Sequence, residues 1–132
     1  MTPDAIDTAL ISTLNSSWAT ATEIAWPNHN FKVPENLPWI RPVIVMSETE
    51  FGELGDEGVS LRHGMFFITI FLPQNIGTKV GKTLANRLEQ IYRRKELSGV
   101  ITDEVTTTSV GIDDDGFYEI LVSIPIHAWI GE

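Results

Sequence analysis

Apolar residues recur every four positions near the start of the chain, at Ile6, Leu10, Leu14 and Trp18 with Ile11 beside them, and that spacing predicts a helix with one core-facing stripe. Thr2-Pro3-Asp4 supplies its start: a hydroxyl N-cap, a proline whose missing N–H costs nothing at the first helical position, and a carboxylate near the positive end of the dipole. The run ATATEIAW loses the period and reads as a short extended piece that Pro27 closes.

From Ala25 to Val45 the chain reads AWPNHNFKVPENLPWIRPVIV, with four prolines among its aromatics. This predicts a proline-stiffened crossover in which Trp26, Phe31 and Trp39 are buried anchors ahead of the first strand. WIRPVIVMS is apolar at nearly every position, so a strand covered on both faces is expected, with Pro42 marking an edge or an irregular start. SETEFGELGDEGVS is acidic and carries Gly52, Gly55 and Gly58, the composition of a long mobile loop between two strands of a hairpin. MFFITIFLP then alternates, with Phe66, Ile68, Ile70 and Leu72 on one face and Met65, Phe67, Thr69 and Phe71 on the other, as a central strand ended by Pro73.

A second helix is expected from a Thr78 cap to about Leu97, with Gly99 as a left-handed C-cap. Its predicted stripe is Val80, Leu84, Leu88 and Ile91, with Tyr92 at the margin and Arg93-Arg94-Lys95 in the last turn. Two strands close the chain, Glu104 to Ile112 and FYEILVSIPIHAWI, joined by an Asp113-Asp114-Asp115-Gly116 turn. The order predicts an α+β fold: one domain over residues 1–132, a mostly antiparallel sheet of about four or more strands, and two helices packed on one face.

Composition narrows the function. At 132 residues with 42% hydrophobic and 20% charged, the chain suits one globular core. It has no cysteine, which removes disulfides, thiolate zinc sites and a cysteine nucleophile. Without a signal-peptide pattern or an apolar run near the ~20 residues of a membrane span, a cytoplasmic type of chain is expected. The net charge of −9 opposes tight binding to nucleic acid or anionic membranes. The charges are nevertheless segregated. Lys79, Lys82, Arg87, Arg93, Arg94 and Lys95 crowd one segment, and Glu48, Glu50, Glu53, Asp56 and Glu57 another, a pattern suited to a complementary protein face.

Catalytic chemistry finds no footing. His29, His63 and His127 lie far apart, without a partner at metal-ligand spacing. The DDDG run lacks the alternating ligands and closing glutamate of a calcium loop, and reads as a solvated turn. No GxSxG elbow is present, and in NIGTKVGKT the glycines are one residue too close for a phosphate loop. No catalytic residue, cofactor-binding residue or metal site is expected.

Trp26-Pro27-Asn28, Phe31, Pro34 and Trp39-Ile40-Arg41, leading into an apolar strand, resemble the signature of the tail terminator-like proteins of long-tailed bacteriophages. The later order is similar too: an acidic Gly-containing loop, a strand such as FFITIFLP, a helix and a closing pair of strands. The resemblance implies a structural virion protein without an active site. It implies a homo-oligomer, a hexameric ring at the head-proximal end of the tail tube, that stops tube polymerisation and offers a joining surface to the head. Its partners would be the major tail tube protein and a head connector or stopper, with DNA passing through the lumen unbound. It would assemble in the host cytoplasm and reside in the virion neck. Glu48, Glu50, Glu53, Asp56, Glu57, Arg93 and Arg94 are the residues expected to carry self-association or partner contacts. The competing readings are another head-tail connector subunit, and a carbohydrate-binding module using Trp26, Asn28, His29 and Trp39.

Overall fold

The computed structural model describes residues 3–18, 21–47, 50–51 and 60–130. Helix α1 spans Pro3–Trp18, and its stripe is as the four-residue period requires, since Ile6, Leu10, Leu14 and Trp18 are all buried. Its capping residue, Thr2, lies outside the described residues.

Strands β1 (Glu23–Ile24) and β2 (Trp39–Met46) pair in parallel, and β2 pairs antiparallel with β4 (Ser60–Leu72). The short β3 (Glu50–Phe51) joins the start of β4, so β2 and β3 follow one another along the same side of that strand. The long β8 (Tyr118–Ile130) occupies the other side of β4 over its whole length. On β8's far side lie β7 (Thr106–Ile112) and β6 (Val100–Thr102), with β5 (Glu96–Leu97) beyond β6. Helix α2 spans Lys79–Tyr92 between β4 and β5. The result is an α+β fold with eight strands in one mixed, mostly antiparallel sheet among the described residues.

Both helices cover the face that carries Ile40, Phe66, Ile68, Ile70, Leu72, Ile120, Val122, Ile124 and Ile126, and these residues form the main core with them. The alternation in β4 and β8 decides this, because a period of two puts every even-numbered residue of both strands on one side. A smaller core sits on the opposite face. Trp39 stacks on Phe71 with ring centroids 4.0 Å apart, and Phe31 and Phe117 close around the pair. The crossover therefore wraps the sheet edge: Trp26 packs on the helix side, whereas Phe31 and Trp39 pack on the other. Asn28 and Asn36 turn it with φ of 57° and 61°, a conformation that asparagine tolerates best among residues with a side chain. Trp39 is buried as expected, while Trp26 and Phe31 are only half-buried.

Several sequence expectations are corrected. β2 is covered on one face only among the described residues: Val43 and Val45 are 40% and 50% exposed, because no described element lies over that end of the open face. α2 stops at Tyr92 rather than near Leu97, so Arg93, Arg94 and Lys95 follow the helix instead of forming its last turn. Ser98 and Gly99, with φ of 50° and 96°, form the tight turn between β5 and β6, where glycine's freedom is spent on a hairpin rather than a helix cap. The helix is also rotated from its predicted stripe, with Gly81, Ala85, Leu88 and Tyr92 buried and Val80 exposed. Small residues win that face because the helix lies close on the sheet: a Cβ on Gly81 would stand 2.5 Å from Ile120 Cδ1. Thr78 sits at the N-cap, but its hydroxyl makes no capping hydrogen bond.

Two prolines within strands have specific explanations. Ile40 accepts the Ala25 N–H on the β1 side, so by alternation Pro42 directs its missing donor to the part of that edge that β1 leaves open. Pro125 in the central β8 faces residues 103–105, between β6 and β7, where only its carbonyl is required, by the Asp103 N–H.

Candidate functional site

The expected partner-binding residues fall into two groups. Glu48, Glu53, Asp56 and Glu57 lie outside the described residues. Glu50 belongs to β3, directly opposite Leu61 of β4, so its backbone is tied to the sheet.

Arg93 and Arg94 are brought together with a carboxylate that the sequence did not single out. Glu104 receives Arg93 Nε on one oxygen at 2.8 Å and Arg94 Nη2 on the other at 2.6 Å. Arg93 also approaches Glu89 at 3.5 Å, one helical turn back. Two cations thus stand against two carboxylates, and the basic character suggested by the Arg-Arg-Lys run is largely balanced within the chain. The pairing follows from chain geometry. α2 ends at Tyr92, Arg94 adopts φ of 50°, and its N–H bonds to the Asp103 carbonyl, which brings the post-helix segment alongside residues 103 and 104. The guanidinium groups stay reachable, with Arg93 50% and Arg94 72% exposed. Elsewhere on α2, Arg87 lies over the Trp18 ring and donates to the Ser17 carbonyl, clasping the end of α1.

Nothing assembles into a catalytic constellation among the described residues. Trp26, Pro27 and His29 line a cleft of about 320 Å³ with Asp7, Pro42 and Phe66. Trp39 is absent from it, being buried against Phe71 on the other side of the sheet. The two tryptophans therefore cannot form one sugar platform. The Asp113 turn is held as a turn: its carboxylate accepts the N–H groups of Asp115 and Phe117 at 2.9 and 3.0 Å.

The described surface carries instead an uncovered strand edge and scattered apolar area. The outer edge of β7 contains no charged residue and no proline, and Val110 and Ile112 are 57% and 68% exposed. On the open sheet face, Val43, Val45 and Trp129 add further apolar area. The model of the phage tail terminator protein family matches residues 5–126. The chain belongs to that family. The match runs from the first turn of α1 into β8, so it takes in nearly all of both helices and every described strand save the last four residues of β8. A tail terminator family member is structural rather than enzymatic, has a place in the virion tail and works against other tail components. A solved structure shares the fold at a TM-score of 0.71 and 19% identity, over 97% of this chain and 96% of that one. No curated protein matches the sequence.

Proposed function

We propose that the protein is the tail terminator subunit that closes the head-proximal end of the tail tube as a homo-oligomeric ring, stops tube growth and presents a joining surface to the head connector. The family match over residues 5–126 carries this reading. The β7 edge supports self-association, since an uncharged strand edge with exposed Val110 and Ile112 is a template for pairing with another chain. A ring built from identical head-to-tail contacts uses two different faces of each subunit. In this reading Glu48, Glu50, Glu53, Asp56 and Glu57 of the β2–β4 connection form one face, and Arg93 and Arg94, acting as a unit with Glu104, form part of the other. The net charge of −9 keeps the lumen from holding DNA as it passes.

The test is polymerisation of the purified major tail tube protein with and without this chain. Electron micrographs should show shorter tubes that end in a ring. Tubes of unchanged length with bare ends would exclude the reading. Reversing both arginines, Arg93→Glu with Arg94→Glu, should weaken capping in a salt-dependent way.

A further inference from the structure

His63 and His127 are 64 residues apart in sequence, yet they are directly opposite each other on the two central strands, β4 and β8. The backbone of His63 points away from β8, because its carbonyl oxygen accepts the N–H of Ser47 on the β2 side. The two histidines therefore form a non-hydrogen-bonded pair, the closer kind of cross-strand pair, with Cα atoms about 4.5 Å apart and side chains on the same face. That face is the one the helices leave open. Their ring centroids are 5.9 Å apart and tilted by 42°.

A third group fixes one of the rings. Asp103 Oδ2 lies 3.1 Å from His127 Nδ1. A carboxylate there makes Nδ1 the protonated nitrogen and leaves the Nε2 lone pair to act as a ligand, the arrangement that metal-binding histidines use to set tautomer and orientation. Two imidazoles that share one ion at 2.0–2.1 Å have ring centroids roughly 5–6 Å apart, so a small side-chain rotation is enough. Each ring contributes only one nitrogen.

We propose that His63 and His127 form a two-nitrogen site for a borderline divalent cation such as Zn²⁺, with Asp103 as the positioning residue for His127. Among the described residues no group of three or more His, Asp or Glu side chains converges on one point. The chain supplies two ligands, and water or a group from a second molecule completes the shell. Imidazole nitrogen selects Zn²⁺, Ni²⁺ or Cu²⁺ over Mg²⁺ and Ca²⁺, which prefer oxygen.

The experiment is calorimetric titration of the tag-free full chain with zinc chloride near neutral pH, with magnesium chloride as the control. One Zn²⁺ per chain and no magnesium heat are expected. His63→Ala and His127→Ala should each weaken binding at least tenfold, and Asp103→Asn tenfold to a hundredfold. Unchanged thermal unfolding of the metal-free variants separates ligand loss from misfolding. NMR imidazole signals of both histidines should move together on adding zinc. Zinc affinity in either histidine variant equal to that of the natural chain overturns the site, as does the absence of zinc binding, and an unaltered Asp103→Asn variant overturns the positioning role.

Discussion

Tyr92 donates its hydroxyl proton to the main-chain carbonyl oxygen of Leu10 at 2.8 Å, tying the end of α2 to the middle of α1 across 82 residues of sequence. Its ring meets Phe66 edge-on at 5.3 Å and is fully buried. A carbonyl within α1 already accepts a helical N–H, so the phenol uses its second lone pair.

Tyr92→Phe should therefore destabilise the fold by about 1–2 kcal/mol, as the loss of one buried hydrogen bond, measured by urea unfolding near neutral pH. Burial also holds the phenol well above the ordinary tyrosine range. The folded state thus keeps a proton that the unfolded chain releases near pH 10. The stability linked to Tyr92 is complete below that pH and is lost as pH rises above it. The natural chain should lose stability more steeply than Tyr92→Phe in that alkaline window.

Thr102→Val tests the junction between α2 and β6. The buried Thr102 hydroxyl donates to the Tyr92 carbonyl oxygen and accepts the Lys95 N–H at 2.8 Å. Valine keeps the shape and strands both backbone groups, so a loss of about 1–3 kcal/mol is expected. Thr102→Ser, which keeps the hydroxyl, should recover most of it in the same unfolding measurement.

Gly64→Ala should be destabilising although alanine suits a strand better than glycine. The added Cβ would stand 2.5 Å from Met46 Sδ and 2.8 Å from the Val45 carbonyl oxygen. The sulfur can swing aside, but the carbonyl belongs to the β2–β4 ladder and cannot. Overpacking of this kind costs about 1–3 kcal/mol, read as a lowered Tm. An unchanged Tm would mean that the two strands slide apart freely.

Asp113→Asn should bring Glu119 back toward the ordinary carboxyl range. Burial raises the Glu119 pKa first, the adjacent Asp113 carboxyl raises it further, and Arg41 opposes both. Desolvation pulls Asp113 upward, but its hydrogen bonds to Glu119 and to the N–H groups of the turn prevail and lower it. Removing the Asp113 charge takes away the repulsion that Glu119 feels on ionising. An NMR pH titration of the Glu119 side-chain carboxyl should show a lower midpoint in the variant.

The sequence by itself determined the class of the fold and the make-up of its core. The four-residue period from Ile6 to Trp18 and the two-residue period through Phe66–Leu72 and Ile120–Ile126 leave one economical solution, helices on one face of an antiparallel sheet. Local patterns could also carry the family resemblance, because the WPN and PWIR pieces are contiguous. Contacts between distant segments were decided only by the tertiary structure. Periodicity placed α2 on the core but misread its stripe, because the close approach of Gly81 to Leu72 and Ile120 depends on the sheet beneath. Arg93 and Arg94 read as a basic run until the chain turned at Arg94 and set Glu104 between them. His63 and His127 read as isolated residues because no tight turn joins β4 to β8. Their register is fixed by burying Phe66, Ile68 and Ile70 with Ile124, Val122 and Ile120, and that burial aligns the two imidazoles on the opposite face.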